Sequence, residues 1–503
     1  MDISSWPLIM PPPDTDYFYD LDDIDLDILE QMAEYYEIQL EKYHMISNIT
    51  QNVRFTDYNY DTVEQHLSTD NGNLYIAYTI AAQCLKYKWA MDNNEPEHLA
   101  NATRMITKLL TALSTFMAAP NGGLGINPKT GQWFPGTLAR WVAPPGTEHL
   151  HQWMFDEHPR HFNGTGEYSN WRVRLLTSRD ELGGFYLSMS SVLKFVTGTD
   201  DDSVWAWNMA KLLTSQMIEG FKNTNWLLLG GEGEPTGSDL NPILEGSTWQ
   251  LALLRIGATA DPERYMDLYH YCAAKMLGLN SASMGDPMGF IGGYYGYSFG
   301  LDVMLSLIWL EEDPNLRFLY IQNYENNFYS VVRYHRNNFF NTAHLIFMTM
   351  LTEEQKARFE NPDYDDENIK LDVLDNMWRF YTSGWAEGIR NYNLTQRPHS
   401  TRATSTNPLI ASMERVPNKR YWREFFETSI YGPLFSWIEF QWDFDDEPYT
   451  LPLTVSEYGI HHWVWEHNKF TDEGGNPTGN GLTQAAPNSF ICFYWMLRAY
   501  GII

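Results

Sequence analysis

Two kinds of helix alternate along this chain, one apolar on nearly every side and one with its apolar residues in a single stripe. From Asp20 to Tyr43 the pattern is helical, with Leu26, Ile28, Leu29, Met32 and Tyr35 near one face. Leu74 to Trp89 is apolar nearly all round, and the turn Met91 to Pro96 leads into Glu97 to Met117, striped by Met105, Leu109, Leu113 and Phe116. The same unit returns further on. Phe185 to Val196 meets a turn at Thr197 to Asp201 and then Val204 to Met217. Trp249 to Ile256 meets Gly257 to Pro262 and then Tyr265 to Met276. Phe299 to Leu310 meets Glu311 to Pro314 and then Phe318 to Val332. Phe340 to Met350 meets a capping box at Thr352 to Gln355, and Phe490 to Tyr500 is the last apolar helix.

The later turns recur roughly every fifty residues, as in a helical-hairpin repeat. Helices buried on all sides, alternating with one-faced helices, predict an inner and an outer ring. Starts at Asn73, Glu181, Gly246, Ser298, Asn338 and Ser489 give about six inner helices. This hairpin rhythm resembles the (α/α)6 toroid, an all-α fold shared by many carbohydrate-active enzymes, including glycoside hydrolases, polysaccharide lyases and sugar epimerases. The resemblance is one of architecture, and no family-specific motif accompanies it. It implies a toroid over residues 70–503, preceded by a lead-in, residues 1–69, that carries the first outer helix.

Links from inner to outer helix are short, whereas the return links at Ala118 to Thr177, Glu219 to Glu245, Leu277 to Tyr297 and Gln441 to Asn488 are long. In a toroid the return links share one end, with the N-termini of the inner helices and their positive dipole ends. The stretch Ser178-Arg179-Asp180-Glu181-Leu182-Gly183-Gly184 opens one such helix. Its Ser178 and Glu181 have capping-box spacing, and capping alone is a sufficient reason for acids there. Asp180 and Glu181 are equally the first candidates for chemistry.

Paired carboxylates across a funnel are what glycoside cleavage needs, one to protonate the leaving oxygen and one opposite as base or nucleophile. Asp70, Glu245 and Glu387 are the candidates opposite. Arg140, Arg179, Trp141, Tyr294, Tyr297, Asn341, His344, Trp385 and Trp463 are candidate substrate contacts, the rings as flat faces for sugars. Most of the 19 Trp residues must nevertheless serve packing. If the arginines hold a uronic acid, a lyase or epimerase with Tyr294, Tyr297 or His344 moving the proton becomes the alternative. A non-catalytic glycan-binding or surface-assembly protein would use the same aromatic funnel.

Composition narrows the partners. With 64 acids against 34 bases, a net charge of -30, nucleic acid and anionic membrane are disfavoured. A carbohydrate or other small neutral substrate is expected, with no cofactor, and nothing bears on oligomeric state. No apolar run is long enough to span a membrane. The N-terminal stretch around Pro11 to Pro13 lacks a signal-peptide layout, which favours a cytoplasmic location. Cys84, Cys272 and Cys492 read as isolated buried thiols. His149, His151 and His158 offer a weak metal set, but Pro159 breaks the helical zinc spacing, and a His-rich surface loop is the simpler reading. The acid runs Asp443-Phe444-Asp445-Asp446 and Asp20-Leu21-Asp22-Asp23 look like the acid motif of class II terpene cyclases, also α/α toroids, yet the small residues that follow it there are missing. No Gly-x-Ser-x-Gly elbow and no phosphate loop are present.

Overall fold

The alternation of apolar and striped segments becomes, in the computed structural model, a two-layered assembly of helices. It describes residues 24–57, 59–67, 71–230, 233–236, 240, 246–283, 295–329, 337–360, 365–382 and 482–503. Among these residues lie fourteen helices and eight short strands. The helices are α1 (Leu26–Gln39), α2 (Gly72–Asn93), α3 (Pro96–Asn121), α4 (Gln152–Phe155), α5 (Arg179–Phe195), α6 (Asp201–Asn223) and α7 (Gly246–Ala260). They continue as α8 (Pro262–Ser283), α9 (Tyr295–Leu310), α10 (Pro314–Asn323), α11 (Asn338–Thr349), α12 (Glu353–Lys356), α13 (Asp366–Thr382) and α14 (Asn488–Ala499). Two π-helical segments, Leu40–His44 and Tyr324–Tyr329, follow directly on α1 and α10.

Each apolar segment became an interior helix. Every described side chain of α2 from Gly72 to Tyr87 is buried, as are those of α11 from Asn338 to Met348 and of α14 from Asn488 to Leu497. Around the interior, α2 packs on α5, α5 on α7, α7 on α9, α9 on α11, α11 on α14, and α14 back on α2. The striped helices cover them, α3 on α2, α6 on α5, α8 on α7, α10 on α9, α13 on α11 and α1 on α14. One extra contact cuts across this circuit, because α5 also packs closely on α9.

The adjacent glycines of α5 explain that approach. A Cβ on Gly184 would fall 2.5 Å from the Leu74 Cα of α2. One on Gly183 would fall 3.2 Å from the Phe299 carbonyl oxygen of α9 and 3.3 Å from Asp302. Without side chains there, α5 wedges between two neighbours at backbone distance.

The small sheets add to the all-helical expectation rather than overturn it, since the molecule remains mostly helical. β1 (Met45–Ile46) and β2 (Ile49–Thr50) form a hairpin. β3 (Val53–Phe55) pairs antiparallel with β4 (Val63–His66) and with β8 (Thr483–Gln484), which brings residues 482–503 back onto the N-terminal region. Ala486 N–H completes that clasp by donating to Asn52 Oδ1 at 2.9 Å. The long link after α3 folds into β5 (Trp141–Ala143), β6 (His161–Asn163) and β7 (Arg172–Arg174), with β7 in the middle. Among the described residues no helix is long and apolar enough to cross a membrane.

Candidate functional site

Six of the sequence candidates, Asp70, Glu245, Glu387, Tyr294, Trp385 and Trp463, lie outside the described residues, as do both terpene-cyclase-like acid runs. Tyr297 falls in the first turn of α9. The rest of the site is built around the start of α5, where a left-handed Leu176 (φ 62°) turns the chain from β7 into the helix. Such a conformation costs a non-glycine residue about 1–2 kcal/mol and persists only when neighbours enforce it. Arg140 is the enforcing group. Its Nε donates to the Leu176 carbonyl at 2.9 Å, one Nη to Asn71 Oδ1 at 3.2 Å, and the other Nη to Ser178 Oγ. Thr177 Oγ1 ties the same turn to the Leu138 carbonyl. With its donors committed and only 7% of its surface exposed, Arg140 is a clamp on this turn rather than an open receptor for a substrate carboxylate.

The capping box expected at Ser178 and Glu181 does not form. Ser178 makes no side-chain cap to α5; its hydroxyl donates instead to Asp180 Oδ1 while accepting from Arg140. Asp180 stays near the surface, its side chain 17% exposed and 3.9 Å from the Arg140 guanidinium. Glu181 turns the opposite way and is wholly buried. Its Oε2 accepts from the Asn73 N–H at 3.1 Å, and Asn73 Nδ2 donates in return to the Glu181 carbonyl at 2.7 Å. The Asn73 N–H is one of the donors that the first turn of a helix leaves unpaired. Glu181 therefore caps the start of α2. The two neighbouring acids thus divide, one toward solvent and one locking α5 to α2.

Deeper along the interior lies a carboxylate that the sequence reading missed. Asp302, fully buried on α9, accepts from the Tyr78 hydroxyl of α2 at 3.3 Å. Gly183 of α5 passes beside it, and its negative charge helps burial push the Cys492 thiol of α14 well above the usual thiol range. Tyr78 in turn meets Phe339 of α11 edge-on, with ring centroids 5.6 Å apart. Five interior helices converge here. The available signal was a lone acid in the otherwise apolar run Leu301 to Leu310.

The remaining candidates scatter. Trp141 is fully buried, its ring pressed against Gly72 so closely that a Cβ there would fall 2.3 Å from it. It seals the start of α2 and offers no open face to a sugar. Arg179 is half-buried in the first turn of α5. Asn341 and His344 share one face of α11 but point to the π-helical segment beside it. Asn341 accepts from the Tyr329 hydroxyl at 2.9 Å, and the Tyr329 ring stacks on His344 at 4.5 Å. His344 sits between two carboxylates, with Nδ1 2.9 Å from Glu325 and Nε2 3.0 Å from Asp366. Burial alone would depress its pKa, but the charge and hydrogen bonds of these two acids prevail and raise it to about 9.

His149 and His158 are exposed, while His151 is buried against the Trp141 ring at 5.6 Å. Among the described residues no three His, Cys, Asp or Glu side chains are grouped to hold a metal ion. The three cysteines are free and buried. Half-exposed rings border the long links, among them Trp171 and Trp226. Asn225 and Trp226 both take left-handed backbone conformations, at φ 53° and 64°, and the Trp226 ring stacks flat on Phe221 at 5.9 Å.

Fold and site together define a mostly helical, two-layered protein with a pair of acids at the start of one interior helix, α5. No protein family, no curated protein and no solved structure matches the chain.

Proposed function

We propose that this chain is an (α/α)6-toroid, carbohydrate-active enzyme of glycoside-hydrolase type, in which Asp180 is the carboxylate that meets the substrate. The circuit of contacts from α2 through α5, α7, α9, α11 and α14 back to α2, each helix with its own outer partner, supports the toroid. The observation that carries the activity is the pair at the start of α5. Asp180 keeps access to solvent while Ser178 and Arg140 fix its orientation, and Glu181 anchors the turn that presents it. The second carboxylate required for cleavage comes from Asp70, Glu245 or Glu387. Half-exposed rings such as Trp171 and Trp226 suit the apolar faces of sugar units. The commitment of Arg140 to protein acceptors favours a hydrolase over a lyase or epimerase that reads a uronic acid through it.

The test is release of reducing ends from a panel of polysaccharides by the full chain and by Asp180→Asn. The variant is expected to lose at least about a hundredfold in turnover while retaining binding of the same glycan. Equal turnover by the two proteins overturns the role of Asp180. A second reading, a glycan-binding protein without turnover, draws on the full burial of Glu181 and predicts binding with no reducing-end release from any member of the panel.

A further inference from the structure

A second feature lies at the opposite end of the interior helices, where their C-termini meet. An open pocket of about 400 Å³ is lined there by apolar residues that include Met91, Met350 and Tyr500 and by the charged residues Lys88, Asp92, Lys194 and Arg317. The lining residues come from the ends of α2, α5, α9, α11 and α14 and from the first turn of α10. In a chain of net charge -30, three cations against a single acid around one pocket are against the average.

Lysines in the last turn of a helix offset the negative end of its dipole, and that accounts for Lys194 at the end of α5. It does not account for Arg317, which stands in the first turn of α10, where the dipole disfavours a cation. Asp92 neutralises Lys88 by an ion pair. Among the described residues no ion pair holds Lys194 or Arg317; Arg317 donates to the Glu311 carbonyl at 3.2 Å. Burial and next the Arg317 charge hold the Lys194 ammonium below the usual lysine range, with Arg255 and Lys88 adding to this and Glu312 opposing it. Like charges gathered around one pocket repel one another, and a bound anion relieves that repulsion.

We infer that this pocket binds a small amphipathic organic anion, its apolar body against the accessible side chains of Met91, Met350 and Tyr500 and its anionic head between Lys194 and Arg317. The site is independent of Asp180 and of any activity at the other end. Titration calorimetry of the full chain with phenyl phosphate, inorganic phosphate and phenol tests it. Phenyl phosphate is expected to saturate one site with a Kd below about 1 mM. Inorganic phosphate and phenol, each lacking one half of the recognition, are expected to bind at least about tenfold more weakly. Lys194→Met and Arg317→Met each remove a charged partner at the rim and are expected to weaken phenyl phosphate about tenfold. Met350 also lines the pocket, so its methyl resonance, assigned through Met350→Leu, is expected to shift on titration with phenyl phosphate. No saturable binding, binding unchanged in the Lys194→Met/Arg317→Met double variant, or binding that leaves the Met350 methyl unmoved overturns the inference. Asp180→Asn is expected to bind phenyl phosphate as the wild type does.

Discussion

Glu181 shows how one side chain acquires its role from a residue far away in sequence. Its spacing from Ser178 fits a cap for its own helix, yet its partner is the Asn73 N–H, 108 positions earlier. Glu181→Gln keeps an oxygen to accept that bond, whereas Glu181→Ala leaves a buried N–H unmet. The Ala variant is therefore expected to lose about 1–3 kcal/mol in urea unfolding, with Gln closer to the wild type. Equal losses for both contradict the capping role. His344 makes a separate prediction. Its pKa is raised in the folded protein from the ordinary 6.5 to about 9, so its stabilisation is full below about 6.5 and is lost as pH rises through about 9. His344→Gln is expected to cost roughly 3 kcal/mol near neutral pH and to flatten the alkaline limb of the pH–stability curve between those values. A limb as steep as that of the wild type contradicts the Glu325–His344–Asp366 arrangement. At this scale the acids of α5 were legible because they open an apolar helix. Which way each one turns was not, because Arg140 and Asn73 decide it through contacts distant in sequence.

The hairpins were the most legible elements, since an all-apolar helix followed by an acidic turn and a striped helix is a local pattern. Thr352 to Gln355 forms the expected capping box, with both reciprocal hydrogen bonds in place. The strands were not legible. They are two to four residues long and paired across long loops, as β3 is with β8. The close contact of α5 with α9 was also hidden, although the two glycines responsible stood in plain view. Gly184→Ala is expected to destabilise the protein by about 1–3 kcal/mol, because its methyl meets the α2 backbone instead of a movable side chain. An Ala variant as stable as the wild type in thermal unfolding contradicts the wedge of α5 between α2 and α9.

Across the whole molecule, the segments near the N-terminal sheets hold histidines in neutral form, with His44 and His151 buried and His66 half-buried. His44, His66 and His151 are each depressed to about 4, chiefly by desolvation. Their folded-state pKa lies below the unfolded 6.5, so the unfolded chain binds more protons as pH falls from about 6.5 toward 4. Stability is expected to fall across that window, and replacing His44 and His151 with Asn is expected to make the fall shallower in pH-dependent melting. An unchanged acid slope contradicts their neutral burial. The circuit of helices was legible in outline from the repeat of hairpins. The buried contacts of Tyr78 with Asp302 and Phe339 were not, because they depend on how closely the interior helices approach.

In the proposed function, a glycan binds at Asp180, at the end of the molecule where the interior helices begin. A crystal structure of Asp180→Asn grown with an oligosaccharide tests it most directly. A sugar unit is expected within hydrogen-bonding distance of residue 180, beside the turn held by Arg140. A sugar bound elsewhere on the molecule, with none within reach of residue 180, contradicts it.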